Sequence, residues 1–181
     1  FMTHSLVSPE GIRRADTATL ATALTALREQ TLSLFGDVRR VLGGRLDIGY
    51  AEEVNPPLWE LGHVGWFEEF WIARNSQRHR GAQADPGVAR AAPLLAGADN
   101  DDALYFFRLA LMHEAMHHEA GLMIAQGQGW PVSEAAPTVA PPRRELDVAG
   151  GTLAAGGDDG GFAFDNELGA HNIEIADFAI D

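Results

Sequence analysis

The sequence predicts a mainly α-helical fold followed by the first strands of an α+β domain. Three observations support this class. Apolar residues recur at three- and four-residue spacing over three long segments. Glycine and proline interrupt the chain between those segments, and after residue 146 the pattern changes to strand-like alternation with glycine turns. With 181 residues, 46% of them hydrophobic, the chain is long enough to bury a core.

The first predicted helix runs from about 12 to 42. Leucines recur in it at three-, four- or seven-residue spacing, which is typical of an amphipathic helix facing a core. Ser8 and Pro9 suit the N-cap and the first helical position, and Gly43-Gly44 suits the end of the helix. A loop is predicted over 43–55.

The second predicted helix runs from about 56 to 76, with Asn55-Pro56 as its cap and first-turn pair. His63 lies within the apolar stripe of this helix, between Trp59 and Trp66. A single histidine in such a stripe is more often a packed core residue than a ligand. The histidines of the next helix favour the ligand interpretation.

The third predicted helix runs from about 102 to 128. It begins at the acidic pair Asp101-Asp102, which suits a helix N-terminus, and ends at Gly127. Glycine and proline residues interrupt the preceding segment, 77–101, and leave little room there for a long helix.

These elements divide the chain into three parts. Residues 1–130 are predicted to form a helical bundle, and residues 131–145 a linker rich in proline and alanine. Residues 146–181 are predicted to begin a second domain that contains strands, and we expect this domain to be incomplete.

The composition excludes several classes of function. The formal net charge is −13 and the basic residues form only isolated arginine pairs, so we expect no nucleic-acid or membrane partner. The lack of cysteine excludes a disulfide framework and a thiolate metal site. No apolar run approaches the roughly 20 residues of a membrane span. No signal-peptide pattern follows Met2, the expected native start, and we therefore expect a soluble cytoplasmic protein.

His113 and His117 form the pattern that carries the predicted chemistry. Because they lie four residues apart on a helix, their imidazoles stack on one face, one turn apart. His63, near the middle of its own helix, can meet them across a bundle as a third ligand. Three neutral imidazoles suit Zn, Fe, Cu or Ni, and three ligands on one face leave open positions, as catalysis requires.

The same residues also match a protease pattern. Residues 113–117 read H-E-x-x-H, the zinc-protease motif in which Glu114 would activate water. A zinc protease needs a third ligand, usually downstream. The downstream candidates, Glu134 and His171, lie past a helix-ending proline or beyond the linker, without a matching motif. This argues against the protease interpretation.

Other polar residues near the motif are weaker candidates for the metal site. Glu119 is either an outer-shell acceptor that fixes the tautomer of an imidazole, or an ordinary solvated side chain. His118 points roughly 140° away from the metal-facing side of the helix, so we do not expect it to be a ligand. We expect His4, His79 and His171 to lie on the surface.

At these residues the chain resembles the ergothioneine-type sulfoxide synthases, which are EgtB-like non-haem iron enzymes. Residues 55–67, NPPLWELGHVGWF, resemble their first-histidine motif, and residues 113–119 resemble their H-x-x-x-H-x-E motif. Residues 146–181, which include FAFDNE, look like the opening of a formylglycine-generating-enzyme type domain. The resemblance covers about 55–181. The Asn-Pro-Pro-Leu-Trp-Glu version of the first motif looks closer to the selenoneine synthase branch.

The resemblance implies a DinB-like helical bundle of up to four helices, in which His63, His113 and His117 bind Fe(II). It implies an enzyme that uses O2 to join a sulfur or selenium donor to C2 of the imidazole of hercynine (trimethyl-histidine). The product would be a sulfoxide or selenoxide, in ergothioneine or selenoneine biosynthesis. The donor would be cysteine, γ-glutamylcysteine or a selenosugar.

Two features depart from the family pattern. The third bundle helix is apparently missing, so we expect either its loss or missing residues, with a chain break near 97–102. The second domain of the family is much longer and supplies substrate contacts and a catalytic tyrosine. Neither Tyr50 nor Tyr105 matches that tyrosine, so the catalytic residue is unknown. We expect a chain of 181 residues to bind metal without turnover.

Two other functions would use the same histidines. A DinB-type, zinc-dependent thiol transferase or metallohydrolase needs no second domain, so the strand-like pattern after residue 146 argues against it. A non-enzymatic bundle would bind metal structurally or merely pack its histidines. A fourth protein ligand would favour that reading, because open coordination positions are the mark of catalysis.

Overall fold

The structure is a computed structural model of the chain. It describes residues 9–46, 48, 52, 54–74, 94–134, 145–157 and 160–180. The chain divides into two units, Phe1–Glu134 and Ala135–Asp181. Helices dominate the described part of the first unit and short antiparallel strands that of the second, which confirms the predicted mainly α class. No helix within the described ranges is long and apolar enough to cross a membrane.

Two helices occupy the segment in which a single helix is predicted over 12–42. α1 spans Pro9–Arg13 and α2 spans Thr17–Val41. The helix is interrupted because Asp16 acts as an N-cap, with its side chain accepting a hydrogen bond from Thr19 N at 2.8 Å. The prediction of one continuous helix is therefore wrong. The N-cap predicted before α1, Ser8, lies outside the described residues.

α3 spans Pro57–Glu68 and continues as a π-helical segment over Glu69–Arg74. Together they match the helix predicted over 56–76 as far as the described residues extend. The predicted cap is wrong, because Pro56 occupies the N-cap position without a side-chain hydrogen bond. The amide of Asn55 donates instead to a carboxylate within α3, described below.

α4 spans Asp101–Gly127, close to the predicted 102–128. Its N-cap is Asn100, whose side-chain oxygen accepts a hydrogen bond from Ala103 N at 3.0 Å. The acidic residues of the first turn complement the positive end of the helix dipole, as predicted. Gly129, with φ +67°, lies just past the end of the helix in a conformation that glycine adopts without strain.

The turn before α4 is continuous. Ala98 N donates a backbone hydrogen bond to Leu95 O at 3.0 Å, and residues 94–102 follow one another without interruption. The chain break predicted near 97–102 is therefore wrong. Residues 75–93 lie outside the described residues, and so does most of the segment in which the third bundle helix is predicted to be missing.

α2 and α3 both pack against α4, and their chains run in opposite directions relative to it. α2 runs parallel to α4, since the contacts advance together along both helices, from Arg28–Glu114 to Leu34–Gly121. α3 runs antiparallel to α4, since its first turns meet the middle of α4 and its π-helical end meets the first turns. The buried apolar cluster of this unit consists of Ala15, Leu20, Ile72, Leu95, Ala98, Leu104, Phe107, Ala110 and Leu111.

A buried arginine ties the turn between α1 and α2 to α4. Arg108 is 1% exposed and donates to Ala15 O from Nη2 at 2.8 Å and from Nε at 3.2 Å. Its Nη1 donates to Asp101 Oδ1 at 2.8 Å. Nearby, Thr17 Oγ1 donates to Ala98 O at 2.6 Å. Because a buried guanidinium is stable only when its donors are satisfied, these bonds fix the start of α2 beside α4.

The described residues of the second unit form four short strands, β1 (Leu146–Val148), β2 (Gly151–Ala155), β3 (His171–Ile175) and β4 (Phe178–Ile180). β1 pairs with β4 and β2 pairs with β3, both antiparallel. The strands predicted after residue 146 are therefore present. The family of the domain that they begin stays a prediction, as do the boundaries of the three predicted parts.

One carboxylate holds the segment after α4 against α2. Asp37, on α2, is 3% exposed, and its Oδ2 accepts a hydrogen bond from Ser133 N at 2.6 Å. Its Oδ1 accepts from Arg40 Nη2 at 2.8 Å. The hydrogen bonds from Ser133, with a smaller contribution from Arg40, lower the pKa of Asp37 below its ordinary 3.8. The ionised carboxylate therefore stabilises the folded state.

We expect Asp37→Asn to lower the free energy of unfolding at neutral pH. A depressed pKa gives stability that is present above the unfolded value of about 3.9 and is lost as pH falls through the lower folded value. The difference between the two proteins should therefore be constant above about pH 5 and shrink below about pH 4. Urea unfolding followed by circular dichroism measures it.

The control for this prediction is Glu29→Gln, which changes an exposed acid on the same helix. We expect its unfolding free energy to follow that of the wild type at every pH. An equal loss in both variants would contradict the role given to Asp37. A difference that stays constant into strong acid would do so too.

Candidate metal centre

Three histidines from two helices come together in the first unit. His63 lies on α3, and His113 and His117 lie one turn apart on α4. Nε2 of His113 is 3.1 Å from Nε2 of His63 and 3.1 Å from Nε2 of His117. One ring nitrogen of each residue lies within 4.8 Å of the other two. Within the described ranges, this is the one group of three histidine or acidic side chains with the spacing of metal ligands.

Two of the three separations between the nitrogen atoms have the length expected for ligands of one ion. Imidazole nitrogens bind zinc at about 2.1 Å, so two ligands of one ion lie roughly 3.0 Å apart at a right angle and roughly 3.4 Å apart at the tetrahedral angle. The observed 3.1 Å falls within this interval. Three nitrogen donors suit Zn, Fe, Cu or Ni and not the oxygen-seeking ions Ca²⁺ and Mg²⁺. The cluster could therefore hold a transition-metal ion.

Aromatic residues of α3 hold two of the three imidazoles. Trp59 stacks on His63 with ring centroids 4.6 Å apart and planes 8° apart, and Trp66 stacks beyond it at 5.9 Å. Phe67 stacks on His113 with centroids 3.5 Å apart and planes 7° apart. His63 is therefore packed among apolar rings, as its place in the stripe predicts, while its Nε2 still points towards the other histidines.

The environment keeps the central imidazole neutral. His113 is 8% exposed. Burial, and then the neighbouring His117 and His63, lower the pKa of His113 from 6.5 to about 4, because a charge there would be poorly solvated and would repel theirs. At neutral pH this ring therefore offers a free lone pair, as a metal ligand must.

The carboxylate beside the cluster belongs to Glu60 and not to Glu119. Glu60, on α3, is 3% exposed; its Oε2 contacts Nδ1 of His117, and its Oε1 accepts a hydrogen bond from Asn55 Nδ2 at 2.8 Å. Glu119 is exposed and makes no hydrogen bond to an imidazole among the described residues, which is the solvated arrangement that the sequence left open beside an outer-shell role; that role stays a prediction. The sequence contained one indication that Glu60 belongs to the site, because Glu60 lies one helical turn before His63.

Glu114 faces away from the histidine cluster. It is 3% exposed and forms a bidentate pair with Arg28, whose Nε donates to Oε1 at 2.8 Å and whose Nη2 donates to Oε2 at 3.0 Å. The same Nη2 donates to Glu68 Oε2 at 2.6 Å. A carboxylate held in this way is not placed to activate a metal-bound water. The structure therefore argues against the protease interpretation of the H-E-x-x-H pattern.

The remaining histidines lie elsewhere. Nε2 of His118 is 2.9 Å from Oε2 of Glu134, so neither residue joins the cluster, in agreement with the expectation for His118. His171 is exposed on β3, and its Nδ1 lies 2.8 Å from a backbone carbonyl oxygen. His4 and His79 lie outside the described residues.

Comparison with known proteins gives one informative similarity. No family model matches the chain. The chain is 28% identical over 207 aligned positions to the hercynine oxygenase of Mycolicibacterium smegmatis. The alignment covers 90% of this chain and 46% of that protein, so the chain spans about half the length of its curated relative. That protein is, by its name, an oxygenase that acts on hercynine.

We expect the chain to bind one transition-metal ion, and His63→Ala, His113→Ala or His117→Ala to abolish that binding. Loss of an outer-shell partner typically costs 10–100-fold in affinity, and loss of one of three ligands should exceed this. Chelator competition with Zn²⁺ or Co²⁺ measures the affinity. His171→Ala, an exposed histidine outside the cluster, is the control, and retained binding in any of the three cluster variants would overturn the ligand assignment.

Proposed function

We propose that this chain is the metal-binding part of an O2-dependent non-haem Fe(II) enzyme that acts on hercynine. The reaction would form a C–S or C–Se bond at C2 of the hercynine imidazole and give a sulfoxide or selenoxide. The observation that carries the proposal is that Nε2 of His113 lies 3.1 Å from Nε2 of both His63 and His117. A second support is the similarity to a hercynine oxygenase.

The donor set suits such chemistry. Three neutral imidazoles on one side of an ion leave further coordination positions free, which an oxygenase needs for O2 and a chalcogen donor. Bound iron would supply the redox chemistry, and binding both reactants beside the hercynine ring would replace a collision of three molecules with a single ordered complex.

The residues of this chain would hold and shield the ion. Two ligands come from one face of α4, and Glu60 contacts the ring of His117 from α3. Phe67 and Trp59 cover two of the imidazoles with apolar surface, which limits the access of water to the ligand nitrogens. No tyrosine is assigned a catalytic role: Tyr50 lies outside the described residues, and Tyr105 lies on α4 two turns before the first ligand of that helix.

We expect the full-length protein, reconstituted anaerobically with Fe(II), to consume O2 only when hercynine and a donor are both present. Thiol, γ-glutamylcysteine and selenosugar donors are compared with an oxygen electrode, and the product mass identifies the new bond. The His117→Ala variant, incubated with the same concentration of Fe(II), supplies the background rate, because free Fe(II) promotes thiol oxidation on its own.

The same assays distinguish the proposed oxygenase from the alternative zinc-dependent function. Activity with Zn²⁺ and without O2, on a thiol acceptor or a hydrolysable bond, would indicate a zinc-dependent transferase or metallohydrolase that uses the same three histidines. If protein that has bound one Fe(II) per chain consumes no O2 with any of the three donors, the oxygenase proposal is wrong.

A further inference from the structure

A buried carboxylate links the two helices that supply the histidine cluster. Glu60 lies on α3 and contacts Nδ1 of His117 on α4, the nitrogen that points away from the other two imidazoles. Its second oxygen accepts a hydrogen bond from Asn55 Nδ2 at 2.8 Å. With 3% of its surface exposed, Glu60 has little access to water, and both of its oxygens are engaged by side chains.

The chemistry of these partners decides where the proton of His117 lies. An ionised carboxylate only accepts hydrogen bonds, and the Asn55 amide group is a donor. When Glu60 is ionised, Nδ1 of His117 carries a proton and donates it to Glu60. In the neutral ring this leaves the lone pair on Nε2, the atom that lies 3.1 Å from Nε2 of His113.

The position of Asn55 indicates that this arrangement is specific. Asparagine before a proline at a helix start is a residue type suited to cap the helix. Here α3 has no side-chain cap, and the Asn55 amide is directed to Glu60 instead. The helix thus forgoes a stabilising cap while the carboxylate gains an orienting partner.

We propose that Glu60 is a positioning residue that fixes the tautomer and ring orientation of His117, with Asn55 orienting Glu60. A carboxylate behind a ligating imidazole holds the ring in place and makes its other nitrogen a better donor. The inference rests on the metal site of the proposed function but not on its reaction, so the two can fail separately. A purely structural role, in which Glu60 only joins α3 to α4, is the competing explanation.

The test compares metal affinity and proton position in matched variants of the chain. Glu60→Gln keeps the size of the side chain but lets it donate as well as accept, so His117 is no longer held in one tautomer. Glu119→Gln makes the same change at the exposed acid that follows the H-x-x-x-H motif. Leu104→Ala, in the apolar core, lowers stability without touching the cluster and controls for a general loss of fold.

Two measurements distinguish a positioning role of Glu60 from a purely structural one. Affinity for Zn²⁺ is measured by chelator competition, with folding checked by circular dichroism. The ¹⁵N shifts of the His117 ring in the metal-free chain report which nitrogen carries the proton. We expect Glu60→Gln to bind Zn²⁺ roughly 10–100-fold more weakly and to lose the Nδ1–H tautomer of His117. We expect Glu119→Gln and Leu104→Ala to keep the wild-type affinity and the Nδ1–H tautomer. Glu60→Asp, which retains a carboxylate at shorter reach, should keep the tautomer and recover part of the affinity.

Several results would overturn the inference. Wild-type affinity in Glu60→Gln, or a His117 ring that carries its proton on Nε2 in the wild type, would remove the positioning role. An equal loss of affinity in Leu104→Ala would show that destabilisation alone explains the effect. If instead Glu60→Gln behaves as expected but the full-length protein shows no chemistry on hercynine, the proposed function fails and this inference stands.

Discussion

The antiparallel contact between α3 and α4 is the constraint on which the candidate site depends. One imidazole comes from α3 and two from α4, so their nitrogen atoms meet only if the helices keep one separation and one register. Arg28, on α2, stabilises that register because it binds Glu68 of α3 and Glu114 of α4 at once. These carboxylates directly follow residues of the site, namely Phe67 and His113. A change in helix spacing would therefore disturb the ion-pair network and the cluster together.

The site separates its charged groups from its neutral donors. The acids nearest to the cluster are each engaged, Glu114 and Glu68 by Arg28, and Glu60 by Asn55 and His117. The imidazoles of His63 and His113 lie against aromatic rings, and burial keeps His113 neutral. An ion bound there would meet nitrogen lone pairs in an apolar surround, which strengthens its electrostatic interactions with ligands and reactants compared with water.

The sequence predicted much of this arrangement because its strongest signals act within one helix. The four-residue spacing of His113 and His117 places them on one face, and the stripe around His63 identifies the facing helix. The turn chemistry was harder to predict: Asp16 interrupts a regular apolar pattern, and Asn55 does not cap the helix that it precedes. In both cases a side-chain hydrogen bond, invisible to periodicity, decides the local structure.

The contact between Glu60 and His117 was hidden from the sequence for a related reason. A motif read along α4 offers only partners on that helix, and Glu119, two residues past a ligand, is displaced by about 200° around the axis. The Nδ1 atom of His117 faces α3, and the acid that meets it comes from there. Such a partner follows from helix packing and not from spacing along α4, so it became visible only with the fold.

The central claim is that three imidazoles of this chain bind one ion and leave coordination positions open. X-ray absorption at the zinc edge of the zinc-loaded chain tests it directly, because multiple scattering from imidazole rings counts the histidine ligands. We expect three imidazole nitrogens at about 2.0–2.1 Å, with small, exchangeable oxygen ligands completing the shell. Two or fewer imidazoles, or a shell closed by a fourth ligand from the protein, would contradict it.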